Sequence, residues 1–172
     1  MKKIIGLCLI ATVLTLTANA QGSKFNFSVG GGFSNATALG NSITGFGFDV
    51  VAKTDISETL EGFAQTGYTF FNDQGSSIKY FPLLIGVNFK SGNLRPGLAM
   101  GYGSMSVPYS FGFESGDYSE RTTGTVSLGG LAISPQLGVN FEKVDLVASY
   151  TLNQISILPV NIFGLKLLYK IQ

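Results

Sequence analysis

Six charged residues, Asp49, Lys53, Glu61, Arg95, Asp145 and Lys166, fall where two-residue alternation places them on one side of a folded sheet. Three carboxylates and three cations on a shared, confined face can neutralise one another as ion pairs or can line a gate for ions. An unpaired charge in a narrow interior is costly, which favours mutual pairing. The commonest hydrolytic chemistry is closed to them, because the 172-residue chain has no histidine. The imidazole of Ser-His-Asp and Cys-His arrangements is therefore missing, and so is the commonest zinc ligand. The only cysteine, Cys8, lies in the leader discussed below, so the mature chain has no thiol for a disulfide or a nucleophile. These residues predict no catalytic, cofactor-binding or metal-binding site, and the chain reads as a non-enzyme.

A second group is aromatic. Tyr109, Phe111 and Phe113 alternate with small residues ahead of the turn-like Glu114-Ser115-Gly116-Asp117, and Tyr118 follows. As a protruding hairpin, this segment would offer strand edges to a partner through main-chain hydrogen bonds. The plainer alternative is that its aromatic side chains pack over the mouth of the structure beneath.

The elements that must carry these groups are strands. Residues 1–20 read as a secretory signal: Lys2 and Lys3 precede an apolar run from Ile4 to Leu16, and Ala18-Asn19-Ala20 supplies small residues for cleavage. Residues 21–172 form one domain. No stretch after residue 20 keeps a helical apolar period. Eight strands are predicted instead, near 24–33, 44–54, 60–71, 77–90, 94–106, 125–141, 144–152 and 160–171. Long polar connections such as SNATALGNSI, VPYSFGFESGDYSERTTG and NQISILP alternate with the compact TDISET, SGN and EK. That alternation suits a barrel threaded through a bilayer.

Each strand has one oily face, for example Phe46, Phe48 and Val50, or Phe81, Leu83, Ile85, Val87 and Phe89. The other face is small or charged, except that Phe63 and Phe71 interrupt it on the third strand. If the oil pointed inward, the chain would be a soluble, lipocalin-like carrier of a small lipophilic ligand. Its outer surface would then be glycine-rich and thinly charged, whereas soluble surfaces usually keep about a quarter to a third of their residues charged. Only 12% of this chain is charged and the net charge is +1, which also gives no footprint for nucleic acid. If the oil points outward to lipid, a closed barrel satisfies every backbone group, and a lumen filled by small residues with a few charges follows. Aromatics toward the strand ends then form interfacial girdles: Phe89, Phe141 and Tyr169 at the short-turn end, and Tyr68, Phe70, Tyr80, Phe81, Tyr102 and Phe163 at the other.

With its ANAQ signal ending, eight alternating strands and unequal connections, the chain resembles the small bacterial outer-membrane β-barrel family of OmpA/OmpX-like proteins over the whole of residues 21–172. The resemblance implies an all-β, eight-stranded antiparallel up-and-down transmembrane barrel in the bacterial outer membrane. It also implies long loops at the cell surface, contact with outer-membrane lipid and insertion by the barrel-assembly machinery. In the last strand, VNIFGLKLLYKIQ, the residues Gly164, Leu167, Tyr169 and Ile171 look like the signal that this machinery reads. The expected role is structural or interactive at the cell surface, with an extracellular partner met through the long loops. A narrow ion-conducting pore is the alternative within the same fold.

Overall fold

The computed structural model of the chain describes residues 25–73, 76–115, 118–155 and 158–171. The predicted signal and its cleavage point lie outside the described residues. Eight strands follow one another: β1 (Phe25–Ala38), β2 (Asn41–Asp55), β3 (Leu60–Asp73), β4 (Ser76–Phe89), β5 (Leu94–Ser115), β6 (Tyr118–Asn140), β7 (Val144–Ile155) and β8 (Leu158–Ile171). Each pairs antiparallel with its neighbours in sequence, and β1 pairs with β8, so the sheet closes into a barrel with no free edge along its wall.

The oil faces outward. Phe33, Phe46, Phe48, Ile85, Leu131, Leu167 and Tyr169 all project from the barrel wall and are exposed, while Asp49, Lys53, Glu61 and Asp145 are buried within. In water this arrangement would be untenable, but in hydrocarbon it is required. A soluble carrier with an apolar interior and a polar coat is therefore excluded by the direction of the side chains. Phe89, Phe141 and Tyr169 face out at the end carrying the chain termini, and Phe70, Phe81, Tyr102 and Phe163 face out toward the other end. Stacked and tilted ring contacts join Tyr68 to Phe48, Phe70 and Phe81 at centroid distances of 6.4, 5.0 and 6.3 Å. Tyr80 departs from the prediction: its ring lies inside, because its position in β4 has the inward parity of Leu84 and Asn88.

The predicted long loops are strands. Within 34–43, 107–124 and 153–159, pairing runs on past the point where outward polarity changes, leaving two-residue connections at 39–40, 116–117 and 156–157. An antiparallel pair already in register gains another ladder bond with each residue added, so polar Ser and Thr residues extend the ribbon as readily as apolar ones. At the β1–β2 tip, Leu39 and Gly40 both have positive φ, at 50° and 82°, the conformation that a two-residue hairpin demands. The longest extension is β5–β6. Pairing of β5 with β4 ends at Ser106 and pairing of β6 with β7 ends at Gly130, yet β5 and β6 remain paired to Ser115↔Tyr118. Nine residues of β5 thus stand beyond the barrel wall, an extension of about 30 Å at the usual strand rise.

At the opposite end the turns are compact. Ser57 Oγ accepts hydrogen bonds from the amides of Thr59 and Leu60, at 3.3 and 3.1 Å, fixing the β2–β3 turn. Two prolines interrupt the ladders inside strands, where they remove a donor. Thr66 Oγ1 donates to the Pro82 carbonyl at 3.0 Å. Beside Pro135, the hydroxyls of Ser134 and Thr151 bond to each other at 2.8 Å.

Candidate functional site: a two-storey lumen and a protruding ribbon

The lower storey of the lumen, nearer the termini, is a network of ionic and polar side chains. Lys53 Nζ on β2 donates to Asp145 Oδ2 on β7 at 2.6 Å and lies 3.9 Å from Glu61 on β3. Lys166 Nζ on β8 donates to Asp49 Oδ1 on β2 at 2.8 Å, and Gln65 Nε2 donates to the same oxygen at 2.9 Å. The Lys53–Asp145 and Lys166–Asp49 pairs join strands that are not neighbours and reach across the interior, whereas Lys53 and Glu61 stand on adjacent strands. The network continues through amides: Gln136 donates to Asn88, and Asn88 donates to Glu61, each at 3.0 Å. Lys170 completes the charge balance at 3.2 Å from Asp145.

Glycine makes the Lys166–Asp49 pair possible. In the sheet, Gly30 of β1 sits opposite Asp49 and Gly32 opposite Lys166, so β1 presents no side chain between the two charges. A Cβ at Gly30 or Gly32 would lie 1.8 or 2.1 Å from a β8 carbonyl oxygen, so only glycine permits this curvature at the seam.

Five of the six charges expected in the lumen come together in this network. Arg95 does not join a carboxylate. Its Nη1 donates to the carbonyls of Gly92 and Leu94, because it stands one residue into β5, where the turn leaves carbonyl oxygens within reach. Lys170 takes the third cationic place. Its signal was present in the sequence, since it shares two-residue parity with Lys166. The lower storey also holds more apolar bulk than the small-or-charged reading allowed: Val51, Phe63, Leu84 and Leu168 are buried among the charges. They lower the local dielectric and strengthen each pair. The cavity between the groups is only about 20 Å³, room for about one water molecule.

Above this network the lumen turns apolar. Ala36, Phe71, Tyr80, Met105, Ile155, Val160 and Ile162 form one buried cluster, with Ile43, Ile78 and Val107 packed against it. Of these, Ala36, Ile43, Ile78, Met105, Val107, Ile155 and Val160 line a partly open cavity of about 270 Å³ at the ribbon end. Sequence reasoning missed this chamber because Ala36, Ile43, Val107 and Ile155 were assigned to loops, where alternation was not counted.

The third feature is the β5–β6 ribbon. Tyr109 is exposed near its base and its ring lies across Gly124 on the facing strand. Backbone pairing sets Phe111 opposite Thr122, Phe113 opposite Glu120 and Tyr118 opposite Ser115; the side chains of Phe111, Phe113 and Tyr118 lie outside the described residues. In β8, Leu167, Tyr169 and Ile171 form an outward row, while Gly164 faces inward beside Ser149 and Ser34. Among the described residues, no group of three potential ligands gathers that could hold a metal ion.

A closed eight-stranded barrel with an oily outer wall, a filled lumen and extensions at one end has the fold of the small outer-membrane β-barrels. Among solved structures, it is similar to the attachment invasion locus protein Ail of Yersinia pestis, with 19% identity over 87% of this chain and 99% of that one and a TM-score of 0.62. It is also similar to Neisserial surface protein A, with 16% identity over 88% and 99% of the two chains and a TM-score of 0.59. The N-terminal β-barrel domain of Pseudomonas aeruginosa OprF matches with 14% identity over 86% and 100% and a TM-score of 0.57. No protein-family model and no curated protein matches the chain.

Proposed function

We propose that this chain is an outer-membrane protein with a structural and cell-surface interaction role, in which a sealed barrel anchors the β5–β6 ribbon outside the cell. The observation that carries this reading is the ribbon itself, paired strand to strand well beyond the last bond to β4 or β7. Its two outer edges have backbone donors and acceptors that no neighbouring barrel strand uses, the arrangement by which an extended segment of another protein adds as a further strand. The Yersinia protein has been solved in complex with the heparin analogue sucrose octasulfate, which shows a barrel of this fold taking an extracellular-type ligand. An anionic partner suits this ribbon poorly, since Glu114, Asp117 and Glu120 outnumber Arg121 there. A protein segment that is neutral or basic fits better.

Export by the signal at residues 1–20, insertion by the barrel-assembly machinery through the row Leu167, Tyr169 and Ile171 with Gly164, and a non-catalytic role complete the proposal. The lumen is read as closed, because its charges neutralise one another and little space is left between them. To test the ribbon, residues 109–124 are replaced by a two-residue Asn-Gly turn joining the paired Pro108 and Thr125, and adhesion of expressing cells to serum-protein-coated plastic is compared with the full chain. Loss of adhesion with an unchanged amount of protein in the outer membrane supports the role, and unchanged adhesion removes it.

A further inference from the structure

We infer that a partner's strand adds to one edge of the ribbon only, the β6 edge over 119–127, and that the segment it accepts is an extended polypeptide alternating apolar residues with serine or threonine. This rests on the surface-interaction reading above and narrows it to one edge and one sequence pattern. Successive residues of a strand direct their backbone groups to opposite neighbours, and the hydrogen bonds at the strand ends fix which way each one points. Leu94 exchanges both of its backbone bonds with Ser91 on the β4 side, while the Asn93 carbonyl accepts from the amide of Asn140 on β6. Even-numbered residues of β5 therefore face β4. The Phe141 amide donates to the Val144 carbonyl, so odd-numbered residues of β6 face β7. Pro135 bears out the count: an odd-numbered residue without an N–H, it coincides with the break in β6–β7 pairing between Ile133↔Leu152 and Gln136↔Ser149.

Carried up the unbroken β5–β6 register, this parity gives the two edges of the ribbon different chemistry. On β5, the first residue past the Lys79↔Ser106 pair to face the open side is Pro108, which has no donor. A proline in such a place guards a sheet edge. On β6, the corresponding backbone groups belong to Ser119, Arg121, Thr123, Thr125 and Ser127, each with an N–H and a carbonyl. That run is as long as an ordinary strand. The side chains along it define the incoming sequence. Val126 and Leu128 are 42% and 36% exposed on one face. On the other, the Ser127 and Ser106 hydroxyls bond at 2.8 Å, with Thr125 next along the strand. Cross-strand neighbours of like character stabilise a pair, so apolar residues opposite Val126 and Leu128, with hydroxyls between them, fit this edge. A second copy of the chain fits poorly. Barrel strands lean about 35–45° from the membrane normal, so two copies turned about that normal would cross their β6 edges at roughly 70–90°, too steep for a ladder. The other contact between copies, β6 of one with β5 of the next, meets Pro108.

The full chain in phosphatidylcholine nanodiscs, one copy per disc, is titrated with the peptide Lys-Thr-Val-Thr-Val-Thr-Val-Lys, and amide hydrogen exchange is followed residue by residue by NMR. A peptide of the same composition with its valines consecutive is the control. The expected result is slowed exchange at Thr123, Thr125 and Ser127, no change at Gly124 and Val126, whose amides already face β5, and continued fast exchange at Ser110 and Gly112. Thr125→Pro, which removes an edge donor that β5 does not use, should weaken peptide binding by about three- to tenfold, the worth of one hydrogen bond, and Ser110→Pro should leave it unchanged. Slowing at Ser110 and Gly112 instead, or on neither edge at millimolar peptide, would overturn the β6 assignment. Equal binding of the control peptide would overturn the alternating pattern. Slowing without peptide, seen only when two copies share a disc, would assign the edge to a second copy and overturn the peptide partner. None of these readouts depends on adhesion, so unchanged adhesion after ribbon replacement removes the surface role separately.

Discussion

Lys53 and Asp145 meet at 2.6 Å across the lumen, from strands separated by the β1–β8 seam, and both side chains are almost wholly shielded from solvent. Burying two ions is repaid only when both are fully engaged. Here Lys170 lies 3.2 Å from the second oxygen of Asp145 and Lys53 lies 3.9 Å from Glu61, so each charge has a second ionic neighbour.

Removing one member leaves the others stranded. Asp145→Asn should destabilise the barrel by about 3–5 kcal/mol, read as a lower urea midpoint for unfolding from detergent micelles. Glu61→Gln should cost far less, since its contact with Lys53 is long and its hydrogen bond from Asn88 can be kept. Replacing the pair together, as Lys53→Met with Asp145→Leu, should recover most of the loss. Equal effects of Asp145→Asn and Glu61→Gln would show that the cross-lumen pair has no special weight.

At the seam, Gly32→Val forces β1 away from β8, because the new Cβ would fall 2.1 Å from the Leu165 carbonyl oxygen. A loss of about 3 kcal/mol or more is expected for such backbone overpacking, seen as disappearance of the heat-modifiable band on unboiled gels. Gly92→Ala is the comparison: it has open space around it and a φ of 58°, so only the conformational cost of about 1 kcal/mol applies.

Leu39 occupies a left-handed turn position and is 77% exposed. Asparagine tolerates that conformation better, so Leu39→Asn should raise stability by about 1 kcal/mol. A lower unfolding midpoint would mean that the leucine side chain makes a stabilising contact.

Sealing of the lumen has an electrical signature. In planar bilayers the unaltered chain should give no steady openings, whereas Asp49→Ala with Lys166→Ala removes a crossing pair and should permit brief ones. Steady, charge-sensitive conductance by the unaltered chain would restore the ion-gate alternative.

Orientation is tested with single cysteines in a Cys8→Ser background. Asn41→Cys, beside the β1–β2 tip, should react with a membrane-impermeant maleimide on intact cells. Glu142→Cys, in the β6–β7 turn, should react only after the outer membrane is opened. The reverse pattern would invert the proposed topology.

Much of the barrel was legible because alternation is a strong signal wherever one face meets oil. Phe46, Phe48 and Val50 against Gly47 and Asp49 leave little choice of face, and the same counting put six charges on the inward side, five of which are paired with one another there. It lost force at the ribbon end, where the outward residues become polar and the contrast between faces fades or inverts. There, Ile43 and Val107 looked like stray apolar residues in loops, although they continue the inward rows of β2 and β5. Tyr80 was misplaced because an aromatic near a strand end was assigned to the girdle by type, when its parity pointed inside. Arg95 has lumenal parity as well, but neighbouring turn carbonyls outcompete a distant carboxylate, and spacing alone does not reveal that competition.

Seven of the eight strand pairings join neighbours in sequence and can form hairpin by hairpin, while the pairing of Phe27 with Ile171 joins opposite ends of the chain. Loop-closure entropy makes that contact the hardest to reach, so it belongs to the last stage of folding. Until it forms, β1 and β8 are open edges on a sheet whose outer wall is oil, a species prone to self-association in water. The unfolded chain therefore has a short useful life in water, and its yield should depend on how quickly a membrane or a holding chaperone receives it.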